Sequence, residues 1–324
     1  MTRILSGIQS SGECHLGNYF GALRQHVEMQ DKGQGIYFIA DYHSMTTVRN
    51  AEERRASVRD IALDYLACGL DPERAILYRQ SDLPEVCELA WILGTVASMG
   101  LLERSHAYKD KLAQGGSADF GLFAYPVLMA ADILIFNPQW VPVGRDQKQH
   151  IEMARDMAGS FNHVYGEEVF VLPEPHILES VEIIPGTDGG KMSKSTGNTI
   201  RMFWPQKQIK KAVMGIVTDS QGVDEPKATD SAVFQLWSLF ADPEAKKAMF
   251  ERAEAGGLGY GELKKDLLQR LLAYFEPMRE RRAELEKRPD YVEDVLAEGA
   301  LRAREIASVT LTAARRAAGL GASG

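Results

Sequence analysis

Spacing of apolar positions divides the chain into two halves of different texture. Arg3 to Ile8 reads as a strand. Leu16, Phe20, Leu23 and Val27 then recur at the spacing of one helical face, which predicts a helix from about Gly17 to Gln30. Ile36 to Ala40 is a fully apolar strand, and Asn50 caps a long helix from about Ala51 to Cys68 that ends at Gly69. Ala75 to Tyr78 reads as a third strand, with a helix opening after Pro84. Val141 to Gly144 and Val169 to Leu172 read as further strands around a helix that holds His150, Met153 and Met157. This alternation is the β-α-β rhythm of a parallel sheet.

Beyond about Asn198 only the helical pattern remains. Lys207 to Val217, Ser231 to Phe240, Pro243 to Ala253, Gly261 to Arg282 and Tyr291 to Ala318 read as helices separated by Gly, Pro and Asp. From Ala300 the chain is rich in Ala and Arg, with Ile306, Val309 and Ala313 along one face, which predicts a packed terminal helix rather than a basic tail. The expected architecture is α/β, a parallel-sheet domain over residues 1–198 followed by an all-helical domain over 199–324.

Composition narrows the class. A chain of 324 residues exceeds the usual single core, and 45% hydrophobic residues can fill two. No apolar run approaches the length of a membrane span, and the N-terminus lacks the apolar stretch of a signal peptide, so a cytoplasmic protein is expected. Cys14, Cys68 and Cys87 are odd in number and form no CxxC pair, which argues for reduced thiols over a disulfide framework or a zinc site. The net charge of −8 is unlike that of a nonspecific nucleic-acid binder. Local basic clusters at Lys207, Lys210 and Lys211, at Lys264 and Lys265, and at Arg279, Arg281 and Arg282 leave room for RNA on part of the surface.

Three stretches carry candidate chemistry. Gly190-Lys191-Met192-Ser193-Lys194-Ser195 interleaves two ammonium groups with hydroxyls, and Gly189 and Gly197 let the segment bend over a ligand; a triphosphate suits that set of donors. The turn from Gln9 through Ser10, Ser11 and Gly12 to Asn18 joins the first strand to a helix, a place where backbone N–H groups meet anions, and it is neither GxxxxGK[ST] nor GxGxxG. His15 and Asn18 lie on one face of the first helical turn, where both can donate to phosphate or ribose oxygens. Tyr125, Met129 and Asp132 share one face of an otherwise apolar helix. A buried carboxylate there must find a donor. Indole N–H, which donates and does not accept, matches a single carboxylate in an aromatic-sized slot; a bond to a neighbouring backbone group or Arg is the other reading.

His15-Leu16-Gly17-Asn18 and Lys191-Met192-Ser193-Lys194-Ser195, in that order and context, resemble the two signatures of class I aminoacyl-tRNA synthetases. The first signature usually ends in a second histidine, and Asn18 in that place keeps the donor. Ser6 to Gln9, Gly17 to Ala22, Tyr125 to Leu134 and Val141 to His150 extend the resemblance to the bacterial tryptophanyl-tRNA synthetases along essentially the whole chain. That resemblance implies a Rossmann-like catalytic domain, ATP and Mg²⁺, L-tryptophan and tRNA(Trp) as partners, and a homodimer. It implies His15, Asn18, Lys191, Ser193, Lys194 and Ser195 as the catalytic set. ATP would be held by Gln9, Ser10, Ser11, Gly17, Asn18, Gly144, Arg145, Asp146, Ile184, Lys191, Met192, Ser193, Lys194 and Ser195. Tryptophan would be held by Asp132, Gln9, Tyr125, Met129, Leu5, His43, Val141, Val143 and Gln147, with Leu5, where many relatives carry Phe, making the indole pocket roomier. The implied reaction is attack of the tryptophan carboxylate on the ATP α-phosphate, then acyl transfer to the tRNA ribose. Tyrosyl-tRNA synthetases share the fold and both signatures, and a synthetase-like paralogue could bind the same ligands without charging tRNA.

Overall fold

The computed structural model describes residues 2–10, 12–113, 115, 119–143, 148–177 and 183–321, apart from the side chains of Ala107, Lys111, Val143, His176 and Ile177. Its N-terminal half runs β1 (Arg3–Gln9), α1 (Leu16–Asn18), a π-helical turn (Tyr19–Leu23), α2 (Arg24–Met29), β2 (Gln34–Ala40), α3 (Asp41–Ser44), α4 (Ala51–Ala67) and β3 (Ile76–Arg79). After a 3-10 turn (Gln80–Asp82) follow α5 (Glu85–Gly94), α6 (Met99–Glu103), α7 (His106–Ala113), α8 (Phe120–Leu134), β4 (Val141–Val143), α9 (Lys148–Tyr165) and β5 (Pro175–Ile177). The remainder is helical: α10 (Gln206–Met214), α11 (Ala232–Ser238), α12 (Pro243–Ala255), α13 (Tyr260–Glu286) and α14 (Pro289–Ala317).

Parallel pairings join β1 to β2, β2 to β3, and β4 to β5. A parallel bridge between Ile4 and Trp140, with Leu5 N–H donating to Trp140 O at 3.1 Å, links the two groups. The spatial order is therefore β3-β2-β1-β4-β5, and it reverses between β1 and β4. In such sheets the ligand crevice lies beyond the carboxyl ends of the strands at the reversal.

Side chains of β2 alternate between two cores, Tyr37 and Ile39 on one face and Ile36, Phe38 and Ala40 on the other. Both cores cross residue 198. The first joins Leu16 and Tyr65 to Trp237 and Phe275, and the second joins Leu5 and Phe136 to Ala303, Ala307 and Leu311. Helix α14 thus leaves the C-terminal half and covers the outer edge of β3, which would otherwise present unpaired backbone groups. Gly299 makes that approach possible, because a Cβ there would fall 1.9 Å from Leu77 O. The arginines of α14 act as clamps: Arg302 donates to Pro72 O, Arg304 pairs with Glu85, and Arg315 pairs with Glu88.

Two expectations need correction. Val169 to Leu172 is not a strand. Asn162 Oδ1 takes the N–H groups of Val169 and Phe170, and Asn137 Oδ1 takes that of Val171, so side-chain amides replace a strand ladder and β5 forms further on. The buried face of α14 is Ala303, Ala307, Leu311 and Ala314, while Val309 is exposed and Ile306 half-buried. Small alanines let the helix lie close to the sheet, and a search for large apolar residues picks the wrong face. Among the described residues no helix is long and apolar enough to cross a membrane.

Candidate active site

The carboxyl end of each strand of the first sheet delivers polar groups to one side of the molecule: Gln9 and the turn to Asn18 after β1, Asp41 and His43 after β2, Gln80 after β3. His15 caps α1. Its Nδ1 accepts the Asn18 N–H at 3.3 Å, and its own backbone N–H donates to Asn18 Oδ1 at 3.2 Å. Because Nδ1 accepts, the ring proton sits on Nε2. Burial, reinforced by the charges of Lys194 and Arg201, lowers the imidazole pKa to about 4, so His15 is a neutral hydrogen-bond donor at pH 7. Gly17 has to be small, since its Cβ would meet the His15 ring at 2.9 Å. Ser10 is fully buried, and its hydroxyl has no hydrogen-bond partner among the described residues.

The lysine-serine loop comes to this same turn. Lys194 Nζ donates to Gly12 O at 2.8 Å, the Leu16 N–H donates to Ile200 O at 2.9 Å, and Met192 is buried with its Cβ near Gly17. Burial lowers the Lys194 pKa from its ordinary value. The loop is shaped by Asn198, a residue sequence reasoning missed. Its Nδ2 donates to Asp188 Oδ1 at 2.7 Å and to Lys191 O at 3.0 Å, and its Oδ1 accepts the Ser193 N–H at 2.8 Å. Gly186 leaves it space, because a Cβ there would lie 2.2 Å from Asn198 Nδ2. Gly189 and Gly197 both hold positive φ, +87° and +71°, which glycine adopts without strain. Ser193 and Ser195 face each other, Oγ to Oγ, at 2.8 Å, and Lys191 is exposed. Lys194 and the serine hydroxyls are therefore carried on a hydrogen-bonded turn next to a neutral histidine.

On α8, Asp132 is fully buried, and it is not short of donors. His43 Nε2 lies 2.9 Å from Oδ2, and Gln80 Nε2 donates to Oδ1 at 2.9 Å and to Oδ2 at 2.8 Å. Burial raises the carboxyl pKa, while hydrogen bonds from His43 and Gln80 oppose that rise. Gln80 was not foreseen. Only its position at the end of a predicted strand could have pointed to it. Tyr125 and Met129 are half-buried on the same helix. The Tyr125 hydroxyl meets Ser105 Oγ at 3.1 Å and His150 Nε2 at 2.9 Å, and its ring lies edge-on to His43 at 6.3 Å. Gln9 Nε2 reaches His43 O at 3.5 Å, which joins the two ends of the crevice.

Other expected residues are placed as follows. Leu5 is 1% exposed and Val141 4%, both in the core beneath α8, and Ile184 is buried beside Met192, whose N–H it accepts at 2.9 Å. Ser11, Gly144, Arg145, Asp146 and Gln147 lie outside the described residues, as does the side chain of Val143.

Comparison with known proteins places this geometry in context. The family described as tRNA synthetases class I (W and Y) matches residues 1–276. The tryptophan–tRNA ligase of Rhodopirellula baltica is 54% identical, with 98% of this chain and 99% of that protein covered. The ligase of Fusobacterium nucleatum is 52% identical, with 99% and 98% covered. A crystal structure of tryptophanyl-tRNA synthetase from Campylobacter jejuni, complexed with ADP and tryptophan, superposes with a TM-score of 0.91 at 46% identity, covering 98% of this chain and 100% of that one.

Proposed function

The chain belongs to the class I tRNA synthetases that serve tryptophan and tyrosine, and within that family we infer that it is a tryptophan–tRNA ligase. It activates L-tryptophan with ATP, releases pyrophosphate, and passes the acyl group to tRNA(Trp). The observation that carries the amino-acid assignment is Asp132, a buried acceptor fixed by His43 and Gln80 on a helix face it shares with Tyr125 and Met129. Indole offers one donor and no acceptor, which suits this slot. A phenol hydroxyl would also need a donor of its own.

The tryptophan carboxylate is already nucleophilic at neutral pH, so the site needs alignment and charge stabilisation and no general base. Neutral His15 and the Asn18 amide donate at one end of the triphosphate. Lys191, Lys194 and the Ser193 and Ser195 hydroxyls act at the other, and the Ser10 hydroxyl, which has no partner among the described residues, gains one. Mg²⁺ enters on the substrate as MgATP, whose partly cancelled charge suits two lysines and neutral donors. Gln9, Ser11, Gly17, Gly144, Arg145, Asp146, Ile184 and Met192 complete the nucleotide site; Leu5, Val141, Val143 and Gln147 complete the indole site.

Residues 1–198 supply the reaction, and the helices from 199 onward hold the tRNA, except that α14 returns to brace the sheet. Trp91, Met99 and Phe120, on α5, α6 and α8, are large apolar side chains left exposed, which a second copy would cover in a cytoplasmic homodimer. The deciding experiment is ATP–pyrophosphate exchange with tryptophan and with tyrosine, followed by charging of tRNA(Trp). Exchange that prefers tyrosine would overturn the amino-acid assignment, and exchange without charging would overturn the ligase.

A further inference from the structure

The reaction assigned above gives no part to Asn198, which is 4% exposed at the inner end of the lysine-serine loop. Both donors of its side-chain amide and its acceptor oxygen are nonetheless used. Nδ2 donates to Asp188 Oδ1 at 2.7 Å and to Lys191 O at 3.0 Å, and Oδ1 accepts the Ser193 N–H at 2.8 Å. Because the Ser193 N–H can only donate, the amide has a single orientation. Lys191 O belongs to the peptide unit before Met192, and the Ser193 N–H belongs to the one after it. One side chain thus grips the main chain on both sides of Met192, whose own side chain is buried. The base of the loop is held by other means: Met192 N–H donates to Ile184 O at 2.9 Å, Thr187 N–H to Asn198 O at 2.9 Å, Val217 N–H to Thr187 O at 2.8 Å, and Leu16 N–H to Ile200 O at 2.9 Å. All four are backbone bonds. The Asn198 amide therefore acts on the segment that carries Lys191, Ser193 and Lys194, and the attachment of the loop to the fold does not depend on it.

We propose that Asn198 is a positioning residue for the nucleotide site: it fixes the two peptide units around Met192 and thereby sets where the Lys191 and Lys194 ammonium groups meet the phosphates. Asp188 is its partner in this, since the Oδ1 that accepts from Asn198 also accepts the Gly190 N–H at 3.0 Å and so ties the outer bend to the same point. A misplacement of about 1 Å in groups that act on the transition state can cost about 10²-fold in rate. Asp132 draws its bonds from His43 and Gln80 instead, so tryptophan binding should not depend on Asn198. The proposal rests on the ligase reading for its assay.

The test is Asn198→Asp, which keeps the volume and the oxygen that faces Ser193 but sets an oxygen, in place of N–H, against Asp188 Oδ1 and Lys191 O. In tryptophan-dependent ATP–pyrophosphate exchange kcat/KM for ATP should fall about tenfold to a hundredfold while the tryptophan KM stays within about twofold, a split that general loosening of the fold would not produce. Repeated in a Lys194→Met background, the same substitution should cost at most about a third of that factor, because a residue that acts through the loop then has less to position. Equal losses for ATP and tryptophan, no loss in a folded variant, or the full loss repeated on top of Lys194→Met would overturn the proposal. If Asn198→Asp does not fold, Asn198→Ser, which shortens the side chain without adding charge, decides by the same readings. Absence of exchange in the unsubstituted protein would instead overturn the ligase reading. ATP binding measured calorimetrically without tryptophan would then judge Asn198 alone: affinity about tenfold weaker in the variant supports the proposal, and unchanged affinity overturns it.

Discussion

Replacing Asp132 by Asn tests how the amino acid is read. In the folded protein Gln80 Nε2 donates to both carboxylate oxygens, at 2.9 and 2.8 Å, and His43 Nε2 lies 2.9 Å from Oδ2. An Asn amide must put its NH₂ where one of those oxygens stood. At the Oδ1 position it faces Gln80 donor to donor. At the Oδ2 position it faces Gln80 again, and His43 must change tautomer to accept. Either way one buried donor loses its partner, which costs about 1–3 kcal/mol of stability. The indole N–H meanwhile passes from a charged acceptor to a neutral one. Bonds to charged groups contribute about 1.5–3 kcal/mol and neutral ones about 1, so roughly 1–2 kcal/mol of tryptophan recognition is lost, about fivefold to thirtyfold in kcat/KM.

The assay that isolates this bond compares tryptophan with its benzothiophene analogue, in which sulfur replaces the indole N–H, in ATP–pyrophosphate exchange. The unsubstituted protein should prefer tryptophan by roughly tenfold to a hundredfold, and Asp132→Asn should narrow that preference to a few-fold with the ATP KM little changed. A preference that survives the substitution unchanged would show that the indole N–H is bonded elsewhere, and the assignment of Asp132 would fall.

Three further outcomes are expected. Lys194→Met, which removes the ammonium held 2.8 Å from Gly12 O, should slow pyrophosphate exchange by about 10²–10³-fold with the tryptophan KM within about twofold, and undiminished exchange would refute its role on the phosphates. Gly299→Ala places a methyl 1.9 Å from Leu77 O, so urea unfolding should show a loss of about 1–3 kcal/mol or more; an unchanged midpoint would mean that α14 does not lie on β3. Burial lowers His15 to about 4 and His26 to about 3 from 6.5, so the unfolded chain takes up protons first as pH falls below about 6.5. Stability is therefore full above that pH and declines towards pH 4, by up to about 3 kcal/mol for a shift the size of that at His15. His26→Gln should flatten the decline between pH 7 and 5 in urea titrations, and a slope identical to that of the unsubstituted protein would contradict the assignment.

Reading the chain in order was sufficient for β1, β2, β3, α4 and the helices after Asn198, because each carries a local signal: a continuous apolar run, an Asn50 or Asp242 cap, a terminating Gly69. It also singled out His15, Lys194 and Asp132, whose chemistry is conspicuous where they stand and which the fold sets around one crevice. What it could not supply is the partner of each. Asp132 was expected to wait for a ligand, yet Gln80, 52 residues away in sequence, already binds both its oxygens. Asn198 and Asp188 look like ordinary turn residues until the loop closes on itself. Val169 to Leu172 has strand composition, but Asn137 and Asn162 claim its backbone first.

These misses have one physical origin, and it bears on how the site works. Local signals report what a segment prefers by itself, whereas a buried polar group is decided by a partner that the fold brings from far away. Asp132 is of the second kind, fully buried and bonded across elements to His43 and Gln80, while the equally inaccessible Asn198 ties together residues of its own loop that meet only once the loop has closed. They hold the groups that would meet ATP and tryptophan in place before either arrives. A site made this way needs little reorganisation to stabilise developing charge, and that is the form of catalysis open to an enzyme whose nucleophile is supplied by its own substrate. Substitutions at these supporting residues should therefore impair alignment of the substrates more than they impair the fold, with Asn198 acting at the nucleotide and Gln80 at the indole.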